Sequence, residues 1–83
     1  MSKLILEPIQ PDLSRELPYP RAFHWRGRCY HIRQLGGHWT ELRRWWAGEG
    51  EREFFRALTD CNTVVDLCFE PQHGQWLLYQ LYD

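Results

Sequence analysis

Guanidinium and indole groups crowd into two short stretches of this chain. One is Trp25-Arg26-Gly27-Arg28; the other is Arg43-Arg44-Trp45-Trp46, with Trp39 just upstream. An arginine beside an aromatic ring suits two kinds of recognition. The planar cation grips phosphate while rings stack on bases, worth ~1–3 kcal/mol per base, as when small β-barrels hold single strands. Alternatively, Trp and Arg anchor a protein partner, because they are the side chains most enriched at interface hot spots. Each stretch also has a purely architectural reading. In the first, Gly27 supplies a positive φ and Arg28 lies over Trp25 as a cation–π lid worth ~0.5–1 kcal/mol. In the second, a curled sheet or the N-terminal arm covers both tryptophans. The candidate binding set is therefore Arg26, Arg28, Trp39, Arg43, Arg44, Trp45 and Trp46.

Other chemistry has less to build on. His24 and Cys29 would be cross-strand neighbours, with His31 two residues along the same face. Zinc needs three or four ligands converging at ~2.0–2.3 Å, whereas positions two apart on a strand sit ~6.5–7 Å apart. Cys61, Cys68 and His73 are more scattered still. A Cys–His pair lacks an orienting third group and an oxyanion hole. Gly36-Gly37 and the Gly-Glu-Gly at 48–50 lack the lysine and following helix of a phosphate loop. The expectation is a non-enzymatic domain with no metal and no cofactor.

With 83 residues the chain makes one domain, near the lower limit for a self-supporting core. Five Trp, four Tyr and four Phe supply the apolar mass that disulfides or metals provide elsewhere. The three cysteines are odd in number, and "MSKLILEP" is too short for a signal peptide. They are read as reduced thiols in a cytoplasmic protein, and no run is long enough to span a membrane. Net charge is −1, yet residues 1–44 carry eight Lys/Arg against four Asp/Glu while residues 45–83 carry two against seven. Such halves either form a two-faced surface or neutralise each other as neighbouring strands.

The positioning elements follow from period and punctuation. Residues 1–20 hold Pro8, Pro11, Pro18 and Pro20, which exclude a long helix or a central strand. They read as an extended proline-rich arm, with Leu4 to Leu6 available as a short edge strand. Residues 21–83 form the β domain. With Arg26-Gly27 as a two-residue turn, Phe23 faces Tyr30, Trp25 faces Arg28 and Arg21 faces Ile32. The aromatics then share one side, and His24, Cys29, His31 and Arg33 the other. Gly36-Gly37 is expected to end the second strand.

Residues 38–47 are ambiguous. Trp39, Leu42 and Trp46 fit a helical stripe between a Thr40 cap and a Gly48 stop, but alternation is also readable, and the tryptophan pair in its β context favours extended structure with a turn inside it. Residues 48–53 read as a loop. Downstream, Phe55 and Ala57, then Val65, Leu67 and Phe69, point inward, leaving Asp66, Cys68 and Glu70 outside. Residues 71–74 make a turn. The last run, "QWLLYQLY", is apolar on both parities and belongs inside a sheet. The fold class is mainly β: a small antiparallel meander of five or six strands, curled into a partly open barrel.

Two groups of residues also carry a resemblance. Trp39-x-Glu41, Trp45-Trp46, Arg52-Glu53-Phe54-Phe55-Arg56-Ala57, Asp66-Leu67-Cys68-Phe69-Glu70, His73-Gly74 and Trp76-x-Leu78-x-x-x-Tyr82-Asp83 form the first. This group resembles the C-terminal segment of bacterial Y-family-like translesion polymerase proteins of the error-prone mutasome. Pro20-x-x-Phe23-x-Trp25-Arg26-Gly27-Arg28-x-Tyr30-x-Ile32 resembles a small stand-alone bacterial domain of unknown function related to that segment. The likeness covers roughly three quarters of the chain and omits the arm; Ala57-Leu58 stands where a Val-Glu pair is usual. It implies a β-rich accessory domain with a link to DNA damage tolerance through protein contacts. It implies no polymerase activity, since the acidic metal-binding pair of a palm domain is missing. The expected partner is a protein of the translesion polymerase machinery, with no membrane involved and weak single-strand nucleic-acid binding as the alternative.

Overall fold

In a computed structural model, which describes residues 2–42 and 50–82, the chain forms one antiparallel sheet curled into a half-barrel. Seven strands appear among the described residues: β1 (Ser2–Pro8), β2 (Gln10–Asp12), β3 (Ala22–Trp25), β4 (Arg28–Leu42), β5 (Glu51–Thr59), β6 (Val64–Glu70) and β7 (Gln75–Tyr82). Their order is β1-β7-β6-β5-β4-β3-β2. β2 through β7 is thus a meander, and the two ends of the sheet are both supplied by the proline-rich segment. β1 pairs with β7 and β2 with β3, so a single stretch of chain reaches both edges. Ile9, between them, is buried, and its amide donates to the Trp76 carbonyl. Pro8 and Pro11 are tolerable here because an edge strand needs no donor on its open side.

The first hairpin has the expected register, with Phe23 opposite Tyr30 and Trp25 opposite Arg28. Arg26 and Gly27 take φ values of 51° and 75°, the left-handed pair of a tight primed turn whose twist matches the strands. Phe23 is fully buried and stacks on Tyr30 at 5.1 Å. His24, Cys29, His31 and Arg33 are exposed, as alternation required.

Gly36-Gly37 does not end the strand. β4 runs on to Leu42, with register shifts between Ile32 and Gln34 and between Leu35 and Gly37. Each shift reverses the parity: Ile32, Leu35 and His38 all reach the inner face, and His38 stacks on Phe55 at 4.4 Å. The glycines bend the strand where β5 crosses beside it. Residues 38–42 are accordingly extended, not helical, while 43–47 lie outside the described residues. The polar run at 48–53 is likewise shorter as a loop than its composition suggests, because β5 begins at Glu51.

The inner face holds the main core: Phe23, Phe55, Ala57, Val65, Leu67, Trp76 and Leu78, with Ile9 across the open side. A second cluster, Phe54, Cys68 and Leu77 flanked by Trp39 and Tyr79, lies on the outer face. This corrects one expectation. Asp66 and Cys68 do point away from the main core, but both are buried, at 2% and 0% exposure. Aromatic side chains on β4, β5 and β7 flank that side of β6, so "outward" is not "solvent".

The same two-sidedness resolves β7. A register shift places Leu67 opposite Leu78 but Asp66 opposite Gln80. Trp76 and Leu78 therefore share the inner face with Leu81, while Leu77 and Tyr82 share the outer one.

Candidate functional site: an arginine between two aromatic rings on the outer face

Arg56 sits in the middle of the outer face, between Gly37 on β4 and Asp66 on β6. Alternation along β5 puts it two residues from Phe54 on the same side. Its Nε donates to Asp66 Oδ1 at 2.9 Å and its Nη2 to Asp66 Oδ2 at 3.2 Å. Nη2 also donates to the Tyr82 hydroxyl at 2.6 Å, and that hydroxyl donates to Asp66 Oδ2 at 2.6 Å. The bonds close a ring in which every member holds the other two. The hydrogen bond to Asp66 raises the Arg56 pKa above its ordinary value. The Tyr82 phenol is raised as well, first by its bond to Asp66 and then by burial.

Two rings flank this guanidinium, Trp39 at 5.1 Å and Tyr82 at 4.9 Å from its central carbon. Trp39 in turn stacks on Phe54 at 5.4 Å with a 7° interplanar angle, and Tyr79 meets Phe54 edge-on. Gly36 and Gly37 contribute no side chains beside Arg56, so the surface there is open. One hollow, of about 290 Å³, is lined by Gln34, Gly36, Arg56, Ala57, Leu58 and Val64. Another, of about 250 Å³, is lined by Arg56, Val64 and Tyr82.

The arginines at the hairpin tip are differently placed. Arg26, rather than Arg28, covers Trp25, at 4.5 Å, and Arg28 covers Tyr30 at 5.2 Å. The positive φ at Arg26 turns its side chain back across the indole. Glu7 fastens the arrangement: Arg26 Nη2 donates to it at 2.6 Å and Trp25 Nε1 at 3.0 Å. Those bonds, Arg26's first, lower the Glu7 pKa. The tip is a clasp between the N-terminal strand and the first hairpin, and the charge of Arg26 is answered in place by Glu7.

Of the sequence-derived set, Trp39 belongs to the outer-face site. Arg26 and Arg28 lie at the opposite end of the β4 path. Arg43, Arg44, Trp45 and Trp46 lie outside the described residues. Arg56, Asp66 and Tyr82 were missed. Their signal was present as a basic and an acidic residue at matching positions of consecutive strands, but it needs the register to become visible.

His24 and Cys29 are paired across the hairpin, while His31 turns to Asp60 at 3.3 Å. Among the described residues, no group of three or more His, Cys, Asp or Glu is arranged to hold a metal ion. The cysteines are all unbridged.

No curated protein and no solved structure matches the chain. One family model does, over residues 1–83, and it takes in the proline-rich segment that the sequence resemblance omitted. The chain belongs to the family described as Domain of unknown function (DUF6504).

Proposed function

We propose that the domain is a non-enzymatic docking module that binds a protein partner on the outer face, with Trp39 and Arg56 as the anchors. The observation that carries this reading is the half-exposed Arg56 side chain held between two rings by a carboxylate that is 3% exposed. A guanidinium fixed this way has little conformational freedom left to lose on binding, and Arg and Trp together typify interface hot spots. The resemblance to mutasome polymerase segments supplies the partner class: a protein of the translesion synthesis machinery in the same cytoplasm.

The test places a photo-crosslinking residue at Tyr79, beside the anchors, in the native host. The expected result is one dominant protein adduct that is lost in the Trp39→Ala background, compared at a temperature at which circular dichroism shows that variant still folded. Adducts that survive Trp39→Ala would end the reading.

Single-strand nucleic acid is the competing occupant. Its phosphate contacts would make affinity fall steeply with salt. The pairing of Arg26 with Glu7 and of Arg56 with Asp66 works against it, because both cations already face a carboxylate. Fluorescent oligonucleotides titrated at low and high salt decide the matter: binding at low salt that Trp39→Ala removes would favour nucleic acid over protein.

A further inference from the structure

We propose that β1 is an exchangeable strand: two copies of this chain trade residues 2–8, each β1 pairing with β7 of the other copy.

β1 is lightly anchored on an apolar neighbour. Five of its seven residues are exposed, among them Leu4 at 60% and Leu6 at 47%. Ile5 is its one apolar side chain packed against the main core. The strand it covers, β7, is apolar on both faces, and Trp76, Leu77 and Leu78 are all buried. An edge of that kind does not stay bare, because unpaired N–H and C=O groups beside apolar side chains recruit another strand. When β1 lifts, the segment that matches β7 at every position is the β1 of a second copy.

The connection to β2 supplies the reason to lift. β1 and β2 lie on opposite edges of the sheet, and only Ile9 stands between them. The chain thus closes the half-barrel across a single unpaired residue. Proline restricts both sides of that corner. Pro8 and Pro11 have a fixed φ, and Glu7 and Gln10, each preceding a proline, are steered to extended backbone. Residues 7–11 are therefore inclined to run straight on. The two halves of β1 also keep different registers on β7. Leu4 faces Gln80 but Glu7 faces Leu78, and Leu6, at a φ of 55°, lies in the step between them.

A short connection under strain favours exchange. In the exchanged dimer β1 and β2 of one chain sit on different molecules, so no tight corner is needed. The β1–β7 contacts are remade with the same partners, and the bonds from Arg26 and Trp25 to Glu7 become bonds between copies. Opposing this is the tether, since a strand joined to its own site competes at an effective concentration of the order of mM. Strain at the corner lowers that figure, which places exchange at ~0.1–1 mM protein.

The test separates the two sides of one β1–β7 pair. Leu4 and Gln80 are opposite each other and neither is buried. One copy carries Leu4→Cys and the other Gln80→Cys, both with Cys29→Ser and Cys61→Ser to remove the exposed native thiols. The copies are mixed at ~0.5 mM, warmed, cooled and oxidised, then resolved on a non-reducing gel. The expected main product is a heterodimer joined through positions 4 and 80, with its yield about tenfold or more lower at ~10 μM. Three glycines inserted between Ile9 and Gln10 relax the corner, and Leu6→Asn relaxes the step in β1. Each change, in protein that circular dichroism shows folded, is expected to lower the heterodimer yield about tenfold. No heterodimer at the higher concentration would overturn exchange. Homodimers of the Leu4→Cys copy in its place would replace exchange by edge-to-edge pairing of two β1 strands. A yield that neither change lowers would overturn the strained connection as its cause.

Discussion

Arg56 and Asp66 share a two-point contact across β5 and β6 but live in different surroundings, the arginine side chain 45% exposed and the aspartate 3%. The pair is therefore not symmetrical toward mutation. Truncating Arg56 strands a buried carboxylate with only the Tyr82 hydroxyl for company, whereas removing both charges strands nothing. Arg56→Ala is expected to cost ~2–4 kcal/mol, and the double variant Arg56→Leu with Asp66→Leu to recover most of that loss. Urea denaturation checks it, and a double variant less stable than Arg56→Ala would refute the asymmetry.

Glu7 predicts an acid-sensitive clasp. Its pKa is depressed by the bonds from Arg26 and Trp25, so it is lower folded than unfolded. A depressed carboxyl stabilises the fold above its unfolded value of 4.5 and loses that contribution as pH falls through the folded value. Glu7→Gln should lower the thermal midpoint at pH 7, and the gap to wild type should close below pH 4.5. A gap of equal size at both ends of that range would show that the carboxylate is not the fastening group.

How much of this was legible beforehand divides along the register. The first hairpin was readable because Phe23, Trp25, Tyr30 and Ile32 share one parity about a turn only two residues long. Nothing comparable marked β4. Its two register shifts exchange inner and outer positions at Arg33 and Gly36, so a fixed period of two puts Trp39 and Leu35 on one face when they lie on opposite ones. The Gly-Gly pair reads as a break because composition cannot tell a bend from a stop. Asp66 read as solvent-facing because a charged residue at an outward position usually is. Its burial depends on Arg56 and Tyr82, ten and sixteen residues away in sequence.

The thiols should separate by accessibility and acidity. Cys68 is fully buried, while Cys61 is exposed in the β5–β6 turn. There the hydroxyls of Thr59 and Thr63, at 3.2 and 3.5 Å, lower the Cys61 pKa, helped by the field of Arg28. Iodoacetamide should modify Cys61 in the folded protein at lower pH than in the unfolded chain, and Cys68 only after unfolding. Peptide mapping after timed labelling reads both rates. Prompt modification of Cys68 would contradict a sealed outer-face cluster.

Leu6 is a place where the fold can be improved. It holds φ at 55° in the irregular step between Leu4 and Glu7, a region that costs a residue with a bulky side chain ~1–2 kcal/mol. The side chain is 47% exposed, so little burial offsets that strain. Asparagine enters this region more readily. Leu6→Asn is expected to stabilise by ~0.5–1 kcal/mol and raise the thermal midpoint by a few degrees. A lower midpoint would mean that Leu6 contributes packing greater than its strain.

Adjacent phenylalanines provide the sharpest check on a sheet with two buried faces. A one-sided barrel predicts that Phe55 alone matters, since neighbours on a strand point to opposite sides. Here both are buried, Phe54 at 1% and Phe55 at 0% exposure. Phe55 packs with Tyr19, His38 and Trp76, whereas Phe54 packs with Trp39 and Tyr79. Phe54→Ala and Phe55→Ala should each cost ~3–5 kcal/mol, comparable to the whole stability of a domain this small. Both variants should therefore be largely unfolded at 37 °C by circular dichroism. Were Phe54→Ala to keep a wild-type midpoint, the outer cluster would contribute no stability, and the frame that holds Trp39 over Arg56 would have to be sought elsewhere.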